Sequence, residues 1–277
     1  MREKRLQDIE EYIHSVGTVS LDELCEHFNV SKNTIRRDIS TILDKGTIHK
    51  VYGGVTSVSS HLIPFENRDI TNSLAKTAIA QCAAQVVEGN ELIFIDSGTT
   101  TRSMVEYLPL VPKLTILTNS LDIINAAANQ EHITLLTIGN CYKRDTKSFV
   151  GSESLHILDK YNINKAFMAA TGVSIESGLT NSDILEYEIK KKIVDKAQQV
   201  YLLADASKFG RSTLLTYAPL DQVDTLITSE PLPQQYQKYC DEHGIAVFTT
   251  EHGSDTRGIS PAPLRRVDEI EGGTNKN

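Results

Sequence analysis

Seven short runs rich in branched aliphatic residues, separated by stretches of helical periodicity, limit most tightly what residues 71–250 can become. The runs are Leu92–Ile95, Leu114–Thr118, Ile133–Ile138, Ala166–Ala170, Val200–Ala204, Thr225–Thr228 and Ala246–Thr249. Runs this short and this continuously apolar are what strands covered on both faces look like. Helical patterns fall between them, near 72–87, 100–108, 121–129, 152–160, 183–198 and 233–242. Such alternation predicts a doubly wound, mostly parallel α/β domain. In that architecture ligands collect beyond the carboxyl ends of the strands.

The expected strand exits are polar. The first continues as Asp96-Ser97-Gly98-Thr99-Thr100-Thr101, a glycine turn with hydroxyls and backbone N–H groups suited to an anion. The others bring Thr118-Asn119-Ser120, Gly139-Asn140, Thr171-Gly172 and Asp205-Ala206-Ser207-Lys208. Gathered at one sheet edge, hydroxyls, amides, carboxylates and Lys208 suit a phosphorylated sugar or polyol. Each exit alone also reads as an ordinary cap or turn, Lys208 as a surface partner of Asp205, and Glu186 with Lys190 as an i,i+4 helix pair.

Residues 1–56 carry a different pattern. Leu6, Ile9, Ile13 and Val16 mark one helical face, and Ser20 with Glu23 forms a capping box ahead of a helix from Leu21 to Phe28. Asn29-Val30 makes a turn. Ser31 then caps a third helix whose apolar face is Ile35, Ile39, Ile42 and Leu43, with Gly46 ending it. Thr47 to Tyr52, then Gly53-Gly54 and a return strand from Val55, predict a small β wing. The sum is a winged helix-turn-helix, whose third helix enters the major groove of double-stranded DNA. Arg36 and Arg37 are the candidates for guanine, because a guanidinium fork matches O6 and N7 together, and Asn33 suits adenine. Lys32, Thr34, Lys50 and the wing backbone are expected to hold phosphate, and Ser31, Tyr52 and Gly53 complete the DNA-facing set.

Charge supports this division. The chain of 277 residues has a formal net charge of −8. Residues 31–50 nonetheless hold 5 basic against 2 acidic side chains, while residues 61–250 hold 16 against 22. Positive charge is focused on the DNA-facing segment and carried by an acidic body. The four cysteines stand 57, 59 and 99 positions apart, without metal-ligand or disulfide-framework spacing. Neither a signal peptide nor a membrane span is expected, which places the protein in the cytoplasm. Residues 57–70 read as a linker and 251–277, rich in Gly, Ser, Pro and mixed charge, as a disordered tail.

The motif VSKNTIRRDI followed by KVYGG resembles the DNA-binding signature of the DeoR family of bacterial sugar-metabolism repressors, in its glycerol-3-phosphate-regulator-like branch. That family usually has His at the position of Tyr52 and Leu at that of Ile39. Further blocks, DSGTTT, LTILTNS, KSFVG, KAFMAATGV, SGLTN, EYEIKKKIV and LLADASKFG, are similar to its effector domain, related in fold to ribose-5-phosphate isomerase. The resemblance implies a pocket of Asp96, Ser97, Gly98, Thr99, Thr100, Asn119, Gly172, Glu186, Lys190, Asp205 and Lys208. Family members usually have a second Gly where this chain has Asn140. It also implies a homodimer or homotetramer, a sugar-phosphate effector, and no cofactor or metal.

Two classes of function follow. One is a regulator, a repressor relieved by a phosphorylated sugar or an activator built from the same parts, in which an effector preference of ~1 to 3 kcal/mol changes operator affinity about 5 to 150-fold. The other is an isomerase-like enzyme with Glu186 or Asp205 as base and Lys208 as electrostatic partner. The absence of His from the pocket motifs counts against the enzyme.

Overall fold

The computed structural model describes residues 2–16, 18–44, 48–51, 54–57, 72–151 and 153–250. The chain divides into two compact units, Met1–Pro64 and Phe65–Asn277. Gly46, Tyr52, Gly53, most of the expected linker and the expected tail lie outside the described residues.

The first unit holds helices α1 (Arg2–Val16), α2 (Leu21–Phe28) and α3 (Lys32–Asp44) and strands β1 (Thr18–Ser20), β2 (Ile48–Val51) and β3 (Gly54–Ser57). Ser20 caps α2 by accepting the Glu23 N–H at 3.1 Å, and Asn29 ends it in the left-handed region at φ 49°. Ser31 caps α3 through the Thr34 N–H at 3.3 Å. Leu6, Ile9, Ile13, Leu24, Ile35, Ile39 and Ile42 form one buried core with Val19, Ile48 and Val55. Each such side chain contributes about 1.5 to 3 kcal/mol by leaving water. The wing is wider than the sequence suggests, because β1 pairs antiparallel with β3 and makes a third strand in the order β1-β3-β2. That approach requires Gly54, where an added Cβ would stand 2.2 Å from the Val19 carbonyl oxygen.

The second unit is built on a seven-stranded sheet in which every pairing is parallel. Its strands are β4 (Leu92–Ile95), β5 (Leu114–Thr118), β6 (Ile133–Thr137), β9 (Lys165–Ala169), β12 (Gln199–Leu203), β14 (Thr225–Thr228) and β15 (Ala246–Thr249). The spatial order is β15-β14-β12-β9-β4-β5-β6. Around it lie helices α4 (Ser73–Ala84), α5 (Leu121–Ala127), α6 (Glu153–Leu158), α7 (Ile184–Lys196) and α8 (Gln234–His243). Alternate strand residues face two separate cores. Ile93, Ile95, Phe167 and Tyr201 pack with Ile79 and Ala83 of α4, while Phe94, Met168 and Leu202 pack with Ile189 and Ile193 of α7.

Three features depart from the expected pattern. Residues 102–107 form a 3₁₀ helix, tighter than the α-helix expected over 100–108. A hairpin of β7 (Cys141–Lys143) and β8 (Ser148–Val150) follows the β6 exit. A small antiparallel sheet of β10 (Gly172–Ser174), β11 (Gly178–Asn181) and β13 (Leu215–Ala218) follows the β9 exit. The sheet order places the topological switch between β4 and β9, since the chain runs outward to β5 and β6 on one side and to β12, β14 and β15 on the other. Two loops leave the sheet there in opposite directions, and the crevice between them is where such folds bind ligands.

Candidate nucleic-acid interface and effector cleft

On the first unit, α3 shows its polar N-terminal face to solvent. Ser31, Lys32, Asn33, Arg36 and Arg37 are exposed and Thr34 is half-buried, while Ile35 and Ile39 point inward. Lys50 on the wing strand is exposed as well. Lys32 meets Asp22 of α2 at 2.5 Å, a solvent-exposed pair of the kind worth under about 1 kcal/mol. A phosphate can displace that partner. Asp38, only 1% exposed, instead accepts Arg5 Nε at 2.8 Å and ties α1 to α3. Arg5 thus lines one groove with Asn33, Thr34 and Arg37. Sequence reading missed Arg5, which is 33 positions from its partner and belongs to a helix with no other mark of DNA contact.

On the second unit, a narrow polar cleft opens at the switch point. Ser97, Gly98, Thr99 and Thr100 from the β4 exit form one wall, and Ala169, Ala170 and Thr171 from the β9 exit form the other. Asn181, Glu186, Lys190 and Lys208 close it. Gly98 permits this shape, since a Cβ there would lie 2.2 Å from the Ala169 Cβ. Thr101 stitches the turn by donating to the carbonyls of Asp96 at 2.6 Å and Gly98 at 2.9 Å. Among the described residues, the backbone N–H groups of Ser97 through Thr100 meet no acceptor. Successive unsatisfied N–H groups in a tight turn form an anion-binding concavity.

The charged groups behind the cleft divide into three sets. Lys190 Nζ, on α7, contacts Asp96 Oδ2 and donates to the Ala169 carbonyl at 3.1 Å, and Asp96 Oδ2 accepts the Ala169 N–H at 2.9 Å. Both residues are buried. This clasp fastens the β4 exit to the β9 exit. Tyr217 adds to it by donating to the Ala169 carbonyl at 3.0 Å beneath the Lys190 ammonium. Burial first, and the Asp96 charge second, push the Tyr217 hydroxyl well above its ordinary pKa, so it remains a donor.

Glu186 forms the second set. Its Oε1 accepts Ser97 Oγ at 3.0 Å and Ser148 Oγ at 2.7 Å, and its Oε2 accepts Asn181 Nδ2 at 3.2 Å. Glu186 and Lys190 are therefore not the i,i+4 pair their spacing suggests; each reaches inward to different partners. Asp205 forms the third set. It is 1% exposed, and its Oδ1 accepts the Ser207 N–H at 3.0 Å, the Ser207 hydroxyl and Asn72 Nδ2 at 3.1 Å. Burial works to raise its pKa, but the Ser207 hydroxyl, the Lys208 charge, the Ser207 N–H and the Asn72 amide together outweigh it, leaving the net pKa lowered. Asp205 is thus a buried acceptor rather than half of a surface bridge.

Of the residues expected in the pocket, seven line the cleft. Asp96 and Asp205 stand behind it as anchors. Gly172 begins β10 and is packed against the Arg211 carbonyl, which a Cβ would approach to 2.6 Å, while its neighbour Thr171 takes the cleft position. Asn119 is 2% exposed; its Nδ2 donates to the Phe149 carbonyl at 3.3 Å and its Oδ1 has no partner among the described residues. Asn140 stands against Gly151, and Gly139 at φ 96° has no room for a side chain beside Phe149. Ser148 and Asn181 were missed. Both belong to short β segments, and only the fold brings them to Glu186. Among the described residues no cluster of His, Cys, Asp and Glu suits a metal ion, and no helix is long and apolar enough to cross a membrane.

Two family models match the chain: the DeoR-like helix-turn-helix domain over residues 5–61 and the DeoR C-terminal sensor domain over residues 71–230. Among curated proteins, the HTH-type transcriptional regulator IolR of Bacillus subtilis is 60% identical over 89% of this chain and 99% of its own length. The L-fucose operon activator of Haemophilus influenzae is 30% identical over 85% of this chain and 95% of its own length. The glycerol-3-phosphate regulon repressor of Escherichia coli is 28% identical over 87% of this chain and 96% of its own length. Among solved structures, a ribose 5-phosphate isomerase A from Methanocaldococcus jannaschii is 20% identical with a TM-score of 0.36, covering 50% of this chain and 55% of its own, too slight a likeness to carry an argument.

Proposed function

This chain belongs to the DeoR family of DNA-binding transcriptional regulators, and on that premise we propose that it represses a carbohydrate-utilisation operon until a phosphorylated sugar or polyol binds the second unit. It is a regulator and not an enzyme, as its relatives are. In this reading α3 reads the operator, with Arg36 and Arg37 on guanine and Asn33 on adenine, while Lys32, Thr34 and Lys50 grip phosphate. A homodimer or homotetramer supplies paired heads, and two-fold symmetry then sets half-sites about one DNA turn apart. The action is cytoplasmic, where operator and phosphorylated metabolite are both present.

The observation that carries the effector class is the run of N–H groups from Ser97 to Thr100, without an acceptor among the described residues, beside Glu186 in the same cleft. The first suits a phosphate; the second, an acceptor, suits hydroxyls. A molecule carrying both groups satisfies both at once. An activator remains the second reading, favoured by the relative named as the L-fucose operon activator; the sign depends on where the bound dimer lies relative to polymerase.

The test is a gel shift on the chain's own promoter with a panel of pentose, hexose and polyol phosphates beside their unphosphorylated forms. One phosphorylated compound is expected to lower promoter affinity about 5 to 150-fold, with its unphosphorylated form inert. A panel that releases nothing, or release by the unphosphorylated forms alone, would overturn the effector class.

A further inference from the structure

Arg5 belongs to α1, a helix that carries none of the residues assigned to DNA, yet its surroundings give it more to do than join two helices. Its side chain is 33% exposed, whereas that of its partner Asp38 is 2% exposed. Asp38 Oδ2 accepts the Arg5 Nε–H at 2.8 Å. A guanidinium carries five N–H donors in a rigid fork, and those on the two Nη atoms meet no acceptor among the described residues. A buried carboxylate needs its cation, so Asp38 fixes where the guanidinium stands. The free side of the fork is aligned before any ligand arrives.

The groove that Arg5 lines runs beside the reading face of α3. Asn33 and Arg37, one turn apart and exposed, border it toward solvent, while Thr34 and Asp38, also one turn apart, border it toward the core. Side chains that read bases and side chains that hold the backbone lie next to each other in such helices, because phosphates edge the groove that the helix enters. We propose that Arg5 is a DNA-backbone contact: its Nη groups and the Thr34 hydroxyl take one phosphate on the flank of α3, and Asp38 is the positioning residue that holds the guanidinium there. The Arg5–Asp38 pair is neutral as a whole, so what it offers a phosphate is directed, charge-assisted hydrogen bonds. Such a contact adds affinity without sequence preference. This inference rests on α3 being the DNA-reading helix.

Competition binding of the full chain to its own promoter and to random DNA, across about 50 to 200 mM salt, tests it. Arg5→Ala alone strands the buried Asp38 carboxylate and costs stability, so the decisive variant is the pair Arg5→Ala, Asp38→Asn, which has the net charge of the native chain and leaves no carboxylate without a cation. Its affinity is expected to fall roughly ten-fold on both DNAs alike, as for the loss of a hydrogen bond to a charged group. The slope of log affinity against log salt should shrink by about one. Arg5→Lys keeps a cation beside Asp38 but not the fork, and is expected to lose about three-fold or more on both DNAs while unfolding thermally as the native chain does. Unchanged affinity and slope in the folded pair, or undiminished affinity in Arg5→Lys, would overturn the contact. A loss confined to the promoter would overturn it too, making Arg5 a reader of bases. A native chain without preference for its promoter would sink the DNA reading first, and this inference with it. A preference that Arg37→Ala abolishes while the pair binds as the native chain does would sink this inference alone.

Discussion

Lys190→Met tests whether the Asp96–Lys190 clasp builds the cleft. Asp96 and Lys190 are both buried, and among the described residues the Asp96 carboxylate is otherwise held by the Ala169 N–H. Removing the ammonium leaves a carboxylate enclosed without a cation, a change that costs about 3 to 5 kcal/mol when a buried pair is broken from one side. For a unit of this size that lowers the melting temperature by roughly 6 to 20 °C. Replacing both charges, as in the Asp96→Asn, Lys190→Met pair, removes the stranded carboxylate, and the double variant is expected to regain most of the loss. Thermal and urea unfolding of the native chain, each single variant and the pair close the cycle. If Lys190→Met costs less than about 1 kcal/mol, or the pair is no better than the single variant, the clasp is not what joins the β4 and β9 exits. Asp96 would then not be the anchor behind the cleft, and Lys190 would be left to serve the ligand.

Other perturbations separate the two units. Arg37→Ala is expected to weaken binding to the chain's own promoter by about 1 to 3 kcal/mol, with less loss on random DNA, as measured by competition gel shift. Gly98→Ala forces a Cβ to 2.2 Å from that of Ala169; overpacking of this kind costs about 1 to 3 kcal/mol, and the effector response should vanish while promoter binding persists. The lowered pKa of Asp205 gives the acid limb a sign: its contribution to stability is complete above the unfolded carboxylate range, near 3.9, and is lost as pH falls through the lower folded value. Asp205→Asn should therefore flatten the stability curve below about pH 4, read by thermal unfolding across pH.

Much of the fold is legible locally because its signals are local. Each of the seven strands of the main sheet lies within one residue of an aliphatic run, and Ser20 and Ser31 cap the helices their spacing indicated. The strands that escaped are three or four residues long. Thr18–Ser20, Cys141–Lys143 and Gly172–Ser174 are too short to display a period, and pairing with distant segments decides them. The site divides the same way. The turn Asp96–Thr101 was visible as a strand exit with a glycine. The partners that give its groups their meaning lie far along the chain: Lys190 is 94 positions from Asp96 and Glu186 is 89 from Ser97.

If the cleft holds a phosphorylated sugar as proposed, its carboxylates beside the anion's place are a means of selection rather than a contradiction. A carboxylate offers roughly four lone-pair sites, and Glu186 already accepts from Ser97, Ser148 and Asn181. What remains is room for about one further donor. A bare anion brings none and meets only repulsion from Glu186, whereas a hydroxyl-bearing anion turns the same carboxylate into a hydrogen-bond partner. Discrimination by an element that repels the wrong ligand is as effective as one that attracts the right ligand. In the proposed reading, the N–H groups of Ser97–Thr100 supply affinity for small anions and Glu186 decides which anions stay. Sulfate, which carries no proton at neutral pH, should consequently bind weakly and a phosphorylated polyol tightly, with the gap between them narrowing in Glu186→Gln.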